Sequence, residues 1–170
     1  ATAVFFHAHP DDEALATGGT MIHASDAGHR VVLVCATDGA VGEVDDGVLD
    51  PGENLAERRA KELEAAAGLL GVHRFEFLGY RDSGMVDIDT NSHPDAFCQA
   101  DVEEAASRLA ELLVAEGATV LTCYDHHGGY GHPDHIQVHR VGHRAAALAG
   151  IATVYEATMN RAHLQTLMKL

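Results

Sequence analysis

Two His-Pro-Asp motifs hold the side chains of this sequence that are best suited to chemistry. The first motif, residues 9–13, combines one imidazole with three carboxylates, and the second, residues 132–135, adds two imidazoles and a carboxylate. Two imidazoles, one carboxylate and a bound water form an open tetrahedral zinc site of the catalytic kind. If the motifs meet in the fold, His9, Asp12 and His135 are the candidate metal ligands.

This ligand set leaves Asp11 and His132 unligated beside the metal. A metal ion lowers the pKa of a coordinated water from ~15.7 towards ~7, and a free carboxylate next to that water is a suitable general base. The pattern therefore predicts hydrolysis, with Asp11 as the base. We expect Asp134 and Glu13 to orient ligands or to cap helices, because carboxylates commonly hold a ligating imidazole in place.

Each motif is predicted to lie where a strand ends and a helix begins. The apolar runs at 3–6 and 119–124 predict buried strands, and helical patterns follow both motifs, with Pro10 expected in the first helical turn. Parallel strands bring their carboxyl ends to one edge of a sheet, where open α/β folds bind ligands. A plainer alternative stays open, in which Asp11 and Asp12 are ordinary helix N-caps.

Strands and helices alternate along the rest of the chain, and a Gly- and Asp-rich span from 39 to 52 predicts a long loop. The other predicted elements are strands at 31–36 and 74–78 and helices at 55–70, 101–115 and 136–149. Such alternation predicts an α/β fold with a mostly parallel sheet covered by helices on both faces. Because 170 residues are the usual size of one domain, we expect a single domain over 1–170.

Composition argues against several classes of partner. With 11 basic and 26 acidic side chains the formal charge is −15, which repels nucleic-acid phosphates and anionic membrane surfaces. No apolar stretch approaches the ~18 residues of a membrane span, and no basic and apolar leader precedes Val4. Three cysteines without a C-x-x-C pair are typical of a reducing compartment. We therefore expect a cytoplasmic protein without nucleic-acid or membrane partners, and homo-oligomerisation is left open.

Thirteen histidines are many for this chain, but several have a plainer explanation than catalysis. His139 and His143 extend the helical stripe of the second motif, yet the helix rise places them about 6 and 12 Å further along the axis. We expect them to be surface or packing residues. A third His-Pro-Asp motif, 93–95, follows polar residues instead of a strand. His126 and His127 either line the site or are merely exposed.

With both motifs in this order and context, the sequence resembles the LmbE-like, or PIG-L, family of metal-dependent deacetylases. Residues 9–13 and 132–135 carry the resemblance, 79–85 and 128–131 support it, and it extends to about His163. The resemblance implies a Rossmann-like three-layer fold with the active site at the carboxyl ends of the strands. It also implies removal of an N-acetyl group from an amino-sugar substrate, an N-acetylglucosaminyl conjugate.

Matching the motifs to the family assigns roles to individual residues. The resemblance implies that His9, Asp12 and His135 bind Zn²⁺, with Fe²⁺ as the alternative metal, and that Asp11 is the base. By the same matching, His132 would protonate the leaving amine or steady the oxyanion, and Tyr130 would help to polarise the carbonyl. Arg59 and Asp82 match positions that contact the sugar-inositol substrate in mycothiol-pathway members.

The sequence departs from the mycothiol-pathway members at its C-terminal end. Those members have a longer C-terminal region that closes the substrate pocket, whereas this chain ends soon after residues 155–161. We expect either a more open pocket or missing sequence. Two alternative functions stay open: a zinc amidase acting on another amide, such as a thiol conjugate, and a non-catalytic sugar-binding module. Asp11 argues against the binding module, which needs no unligated base.

Overall fold

Five parallel strands form the sheet. The structure, a computed structural model, describes residues 1–160, so His163, the expected end of the family resemblance, lies outside it. Within these residues the strands are β1 (Thr2–His7), β2 (Arg30–Thr37), β3 (Arg74–Tyr80), β4 (Val120–Tyr124) and β5 (Thr153–Ala157). Their order is β3-β2-β1-β4-β5, and every neighbouring pair is parallel. The prediction of a mostly parallel sheet is confirmed.

Helices connect the strands, and local side chains set their ends. The helical segments are a π-helical turn (Glu13–Thr17) that continues into α1 (Gly18–Asp26), then α2 (Leu55–Leu69), two 3-10 turns (Asp89–Ser92 and Phe97–Gln99), α3 (Val102–Ala115), α4 (Gly128–Gly131) and α5 (Pro133–Ala149). Asn54 and Glu57 form a reciprocal capping box at the start of α2. Gly150, with φ of 70°, ends α5 in the left-handed conformation. Residues 38–54 hold no helix or strand, which confirms the predicted long loop.

The sheet buries a hydrophobic layer on each face. Along β1, Val4 and Phe6 point into the cluster packed against α3 and α5, whereas Phe5 points to the opposite cluster with Met21 of α1 and Leu63 of α2. This division follows from the alternation of side chains along a strand. It confirms the predicted three layers, with helices on both faces. Among the helices of residues 1–160, none is long and apolar enough to cross a membrane.

The strand order reverses direction between β1 and β4. From β1 the chain adds β2 and then β3 on one side, and it returns to add β4 and β5 on the other. Ligands in open α/β sheets bind outside the carboxyl ends of the strands at such a switch point. The two motifs directly follow β1 and β4, which pair with each other, so the predicted meeting of the motifs at one sheet edge is confirmed.

The prediction that Pro10 starts the helix is wrong. Asp11 has a φ of 107°, a value that non-glycine residues rarely adopt, so the chain turns sharply after Pro10 before the helical segment begins. The amide of Asp11 donates to Glu13 Oε2 at 2.9 Å, which holds this turn. Pro10 therefore lies in the turn that presents Asp11, outside the helix.

Candidate active site

His9 follows β1 and is buried among carboxylates. Its Nε2 lies 3.2 Å from Asp134 Oδ2 and 3.4 Å from Asp82 Oδ1. Because carboxylates only accept hydrogen bonds, Nε2 carries a proton. Nδ1 faces Asp12, whose Oδ2 is 3.5 Å away, so this nitrogen also needs a proton or a bound cation between it and the carboxylate. This arrangement resembles the carboxylate–histidine pairs that orient metal ligands.

Asp12 joins the two motifs. Although it occupies the N-cap position of the π-helical turn, its side chain caps no helix N–H, so the N-cap alternative does not describe this carboxylate. Its Oδ2 accepts from the amide of His9 at 2.9 Å, and its Oδ1 lies 3.3 Å from His135 Nε2. The carboxylate of Asp12 therefore lies between the two imidazoles with which it was grouped in the sequence.

His135 has a buried nitrogen that the described residues do not satisfy. Its ring stacks on Tyr124 with centroids 4.4 Å apart. Its Nε2 lies 3.3 Å from Asp12 Oδ1 but makes no hydrogen bond of suitable geometry within residues 1–160. An unpaired buried nitrogen is costly unless an ion or water engages it. Ligand atoms around a tetrahedral zinc are about 3.3 Å apart. Asp12 Oδ1 lies 3.3 Å from His135 Nε2, and the other oxygen, Oδ2, lies 3.5 Å from His9 Nδ1, so each oxygen has a spacing of this size to one ring.

The electrostatics of this group favour a cation. Burial disfavours a charged ring at His9, but the carboxylates of Asp12, Asp134 and Asp82 outweigh it and raise the pKa of His9 well above its usual value. Burial likewise disfavours the charge of Asp12, yet His135 and His9 hold the pKa of this carboxyl well below its ordinary range. Three carboxylates therefore surround one imidazole in a site that excludes most water.

His132 lies beside the same imidazoles and is poised to donate a hydrogen bond. As the N-cap of α5, it accepts the amide of Asp134 on Nδ1 at 3.1 Å, so the neutral ring carries its proton on Nε2. Burial, reinforced by His9, lowers the pKa of His132 to about 4. Single ligand atoms of His9, His132 and His135 all lie within 4.8 Å of one another.

Asp11 stands outside the ligand group and contacts Arg59. The distance from Asp11 Oδ2 to Arg59 Nη2 is 2.9 Å. The same guanidinium donates to the carbonyls of Pro10 at 2.5 Å and Gly39 at 2.8 Å. Partial burial raises the pKa of Asp11, and Arg59 opposes this shift. The predicted base is therefore free of the imidazoles and is fixed by an arginine from α2.

Tyr130 covers the group from the solvent side. Its ring meets the edge of His135 with centroids 4.9 Å apart, and partial burial raises the pKa of Tyr130 to about 12, so the phenol keeps its proton. It lines a cavity of about 350 Å³ together with Asp12, His135, Leu15 and Met159. A substrate group entering this cavity would reach the candidate ligands.

The glycines before the second motif allow the loop to pack closely against α5. Gly128 has a φ of 61°, and a Cβ at this position would lie 2.7 Å from that of His135. Asp125 holds the loop by accepting the amides of His127 and Gly129 at 3.0 and 2.9 Å. A larger residue at position 128 would displace the helix turn that carries His135.

The structure places the remaining candidates, Asp82, His126 and His127, outside the proposed ligand group. Asp82, matched to a substrate-contacting position, is buried and accepts the amides of Val41 and Gly84 at 3.0 and 2.8 Å while facing His9. Its contact with substrate stays a prediction. His126 and His127 are exposed and pack on each other, with ring centroids 3.8 Å apart.

Sequence reasoning missed three supporting residues. The side chain and amide of Ser83 both donate to Asp134, the amide at 3.0 Å, which aims that carboxylate at His9. The hydroxyl of Tyr124, the residue whose ring stacks on His135, is 2.7 Å from His7 Nδ1. His7 ends β1 and Tyr124 ends β4, each shortly before a motif. This position at a strand end was the sequence signal that could have identified both residues.

Comparisons with known proteins identify the family of this chain. The model of the PIG-L family, described as GlcNAc-PI de-N-acetylase, matches residues 4–146. A 1D-myo-inositol 2-acetamido-2-deoxy-alpha-D-glucopyranoside deacetylase of Nocardiopsis dassonvillei is 50% identical over 153 residues, covering 85% of this chain and 54% of the relative. The protein of the same name from Thermobifida fusca is 49% identical over 152 residues, covering 84% and 53%.

A solved structure supports the same grouping. The N,N'-diacetylchitobiose deacetylase from Pyrococcus horikoshii, complexed with an inhibitor, superposes with a TM-score of 0.69 at 30% identity. The superposition covers 86% of this chain and 49% of that chain. The chain thus spans about half the length of the curated relatives it matches.

Proposed function

The chain belongs to the PIG-L family, and from that premise we propose that it hydrolyses the N-acetyl amide of an N-acetylglucosaminyl conjugate. One observation carries the proposal: the carboxylate of Asp11 interacts electrostatically with His9 and Asp12 but makes its ion pair with Arg59, outside the proposed ligand group. A pure binding site would need no such free carboxylate, whereas amide hydrolysis needs a base next to the scissile carbonyl.

We propose that His9, Asp12 and His135 hold a divalent ion, Zn²⁺ or alternatively Fe²⁺. The unpaired Nε2 of His135 and the carboxylates that surround His9 support this assignment. When bound, such an ion supplies Lewis acidity for the acetyl group and lowers the pKa of water. The carboxylates of Asp134 and Asp82 then keep the ring of His9 in one orientation.

The other residues are assigned to proton movement and charge. Asp11 accepts a proton from the water that adds to the acetyl carbon and returns it to the amine nitrogen as the C–N bond breaks, so that acetic acid and the free amine leave and ionise in solution. His132, neutral with its proton on Nε2, donates a hydrogen bond to the developing oxyanion; in its alternative role the imidazolium form would protonate the amine. The phenol of Tyr130 helps to polarise the carbonyl. Arg59 fixes the direction of Asp11.

The substrate class proposed here is an amino-sugar conjugate. The named activity of the N. dassonvillei and T. fusca relatives is deacetylation of an acetamido-glucopyranoside of inositol, and the structural relative is a diacetylchitobiose deacetylase. Arg59 and Asp82 remain the proposed sugar contacts. The three cysteines are free thiols, which supports the proposed cytoplasmic location.

Acetate release tests the proposal directly. The metal-loaded protein is mixed with an N-acetylglucosaminyl inositol, N,N'-diacetylchitobiose and an unrelated N-acetyl thiol conjugate, and acetate is measured with and without chelator. We expect release from at least one amino sugar that chelator stops. Release from the thiol conjugate alone would support the amidase alternative. Tight binding of the sugars by metal-loaded protein without acetate release would support the binding module.

A further inference from the structure

A second group of metal-ligand side chains lies outside the active site, between α5 and the edge strand β5. His139 and His143 come from α5, and Glu156 comes from β5. His143 Nε2 lies 2.8 Å and His139 Nδ1 3.3 Å from the same oxygen, Glu156 Oε1. One ligand atom from each residue lies within 4.8 Å of the other two. We call these three residues the outer histidine cluster.

The spacing of the two imidazoles suits a metal ion. Residues four positions apart lie on one face of a helix, and a pair of histidines at this spacing binds zinc in the H-E-x-x-H motif. In the outer histidine cluster the two rings have centroids 4.6 Å apart. The third ligand comes from a different element, so an ion here would join α5 to β5.

The frame around the outer histidine cluster is already fixed. Gly142, between the two histidines, lets α5 approach β4 so closely that a Cβ would lie 3.0 Å from that of Cys123. His139 Nδ1 is 3.1 Å from the carbonyl oxygen of Tyr124, which only accepts hydrogen bonds, so Nδ1 carries the proton and Nε2 is the nitrogen available to an ion. The amide of Asp125 donates to the carbonyl of Ala157 at 3.2 Å, which holds the end of β5 beside β4. These contacts hold the backbone of α5 beside β4 and β5, so an ion would have to replace only the side-chain hydrogen bonds to Glu156.

We propose that His139, His143 and Glu156 form a second metal site, distinct from the one at His135, for a divalent transition ion such as Zn²⁺, Ni²⁺ or Cu²⁺. Imidazole ligands select these ions over Mg²⁺ and Ca²⁺, which prefer oxygen. Two imidazoles and one carboxylate leave coordination positions for water, and the exposure of His143 and Glu156 permits exchange. This site would load reversibly and would tie the edge strand to the helix that carries His135.

Equilibrium dialysis of the metal-stripped chain against Zn²⁺, with the bound metal measured by elemental analysis, tests the proposal. We expect two equivalents in the parent and in His23→Ala, a control histidine exposed on α1. The double variant His139→Ala/His143→Ala should bind one equivalent, and Glu156→Gln should weaken the second equivalent about tenfold or more. Circular dichroism confirms folding of each variant.

A complementary variant separates the two sites. His135→Ala should lose the tighter equivalent, keep the weaker one, and melt at a higher temperature when Zn²⁺ is added. If the double variant bound as much zinc as the parent, or if the parent took up a single equivalent that only His135→Ala removed, the proposal would be overturned. The two imidazoles of the outer histidine cluster would then contact Glu156 only through hydrogen bonds, without an ion. Each readout is metal content or melting temperature, so the outcome does not depend on deacetylase activity.

Discussion

The guanidinium of Arg59 lies 2.9 Å from the carboxylate of Asp11, so a residue matched to substrate binding contacts the residue matched to the base. Arg59 reaches from α2 across the sheet edge and also bonds the carbonyl of Gly39. A Cβ at position 39 would lie 2.3 Å from Arg59 Nη1, so the close contact requires glycine there. This geometry makes Arg59 a positioning residue for Asp11.

Replacement of Arg59 tests this role. Arg59→Lys keeps the charge but loses the planar fork that holds Asp11 and two carbonyls together, so we expect kcat to fall on the order of 10²-fold, in addition to any rise in KM from the proposed sugar contact. Steady-state kinetics on the best amino-sugar substrate measure both. Arg58→Lys is the matched control, because Arg58 bonds Glu53 instead and should change neither. A rise in KM at constant kcat would assign Arg59 to substrate binding alone.

The neighbours Asp11 and Asp12 should respond differently to the same change. Asp11→Asn keeps the shape but removes the base, so we expect the metal to stay bound while kcat falls roughly 10²–10⁴-fold. Asp12→Asn should weaken the metal itself, because Asp12 contacts both His9 and His135. Metal content and kcat are measured on both variants. Loss of metal from the Asp11 variant alone would reverse the two assignments.

His135 and His139 lie one helical turn apart, and only His135 is stacked in the site. His135→Ala should therefore abolish activity and the tight metal equivalent. His139→Ala should leave both nearly intact, whatever its effect on the weaker site. Zinc retained after gel filtration, together with acetate release, reports the outcome. Equal loss of activity in the two variants would show that the metal ligand had been assigned to the wrong turn of α5.

The purified chain should retain roughly one equivalent of zinc. The proposed site of His9, Asp12 and His135 has an open coordination position and includes the buried Nε2 of His135, so we expect it to bind tightly. The outer histidine cluster is more exposed and should lose its ion during purification. Elemental analysis before and after dialysis against chelator provides the measurement. Full hydrolase activity in a metal-free preparation would contradict the metal assignment, and bound iron would change only the metal.

The packing of Gly128 against α5 predicts a stability effect. Gly128→Ala places a side chain at a φ of 61° and against His135, so we expect a loss of about 1–3 kcal/mol in the free energy of unfolding. Gly19→Ala is the control, because a Cβ at position 19 meets nothing within 4 Å and alanine favours the helix. Urea unfolding of both variants measures the contrast, and equal stabilities would show that the loop yields freely.

The sequence predicted the fold because apolar runs and glycine stops are local signals. The strands β1 and β4 were recognisable from Val4–Phe6 and Leu121–Cys123, which are buried on both faces of the sheet. The start of the first helix was placed too early, because the bond from the Asp11 amide to Glu13 and the positive φ of Asp11 have no signature in local propensity.

Part of the site was also predictable, because its two motifs follow apolar runs that can be recognised locally. Motif order placed His9, Asp12 and His135 together, but no sequence signal connects Ser83 to Asp134, which lie 51 positions apart. The helix rise predicted that His139 lies away from the group that contains His135, and the structure places it there. That argument could not foresee Glu156, because the register of β5 against β4 depends on tertiary packing.

The pairing of β1 with β4 also determines when the site can exist during folding. His9 and Asp134 lie 125 positions apart, so the two halves of the site meet only after a long loop has closed. Such non-local pairing makes parallel sheets slow to fold. A growing chain would expose the His9 half, with its acidic residues, well before α5 is synthesised. Binding of the proposed metal would therefore be a late event, and ions added early in refolding should not speed the formation of β1, β2 and β3.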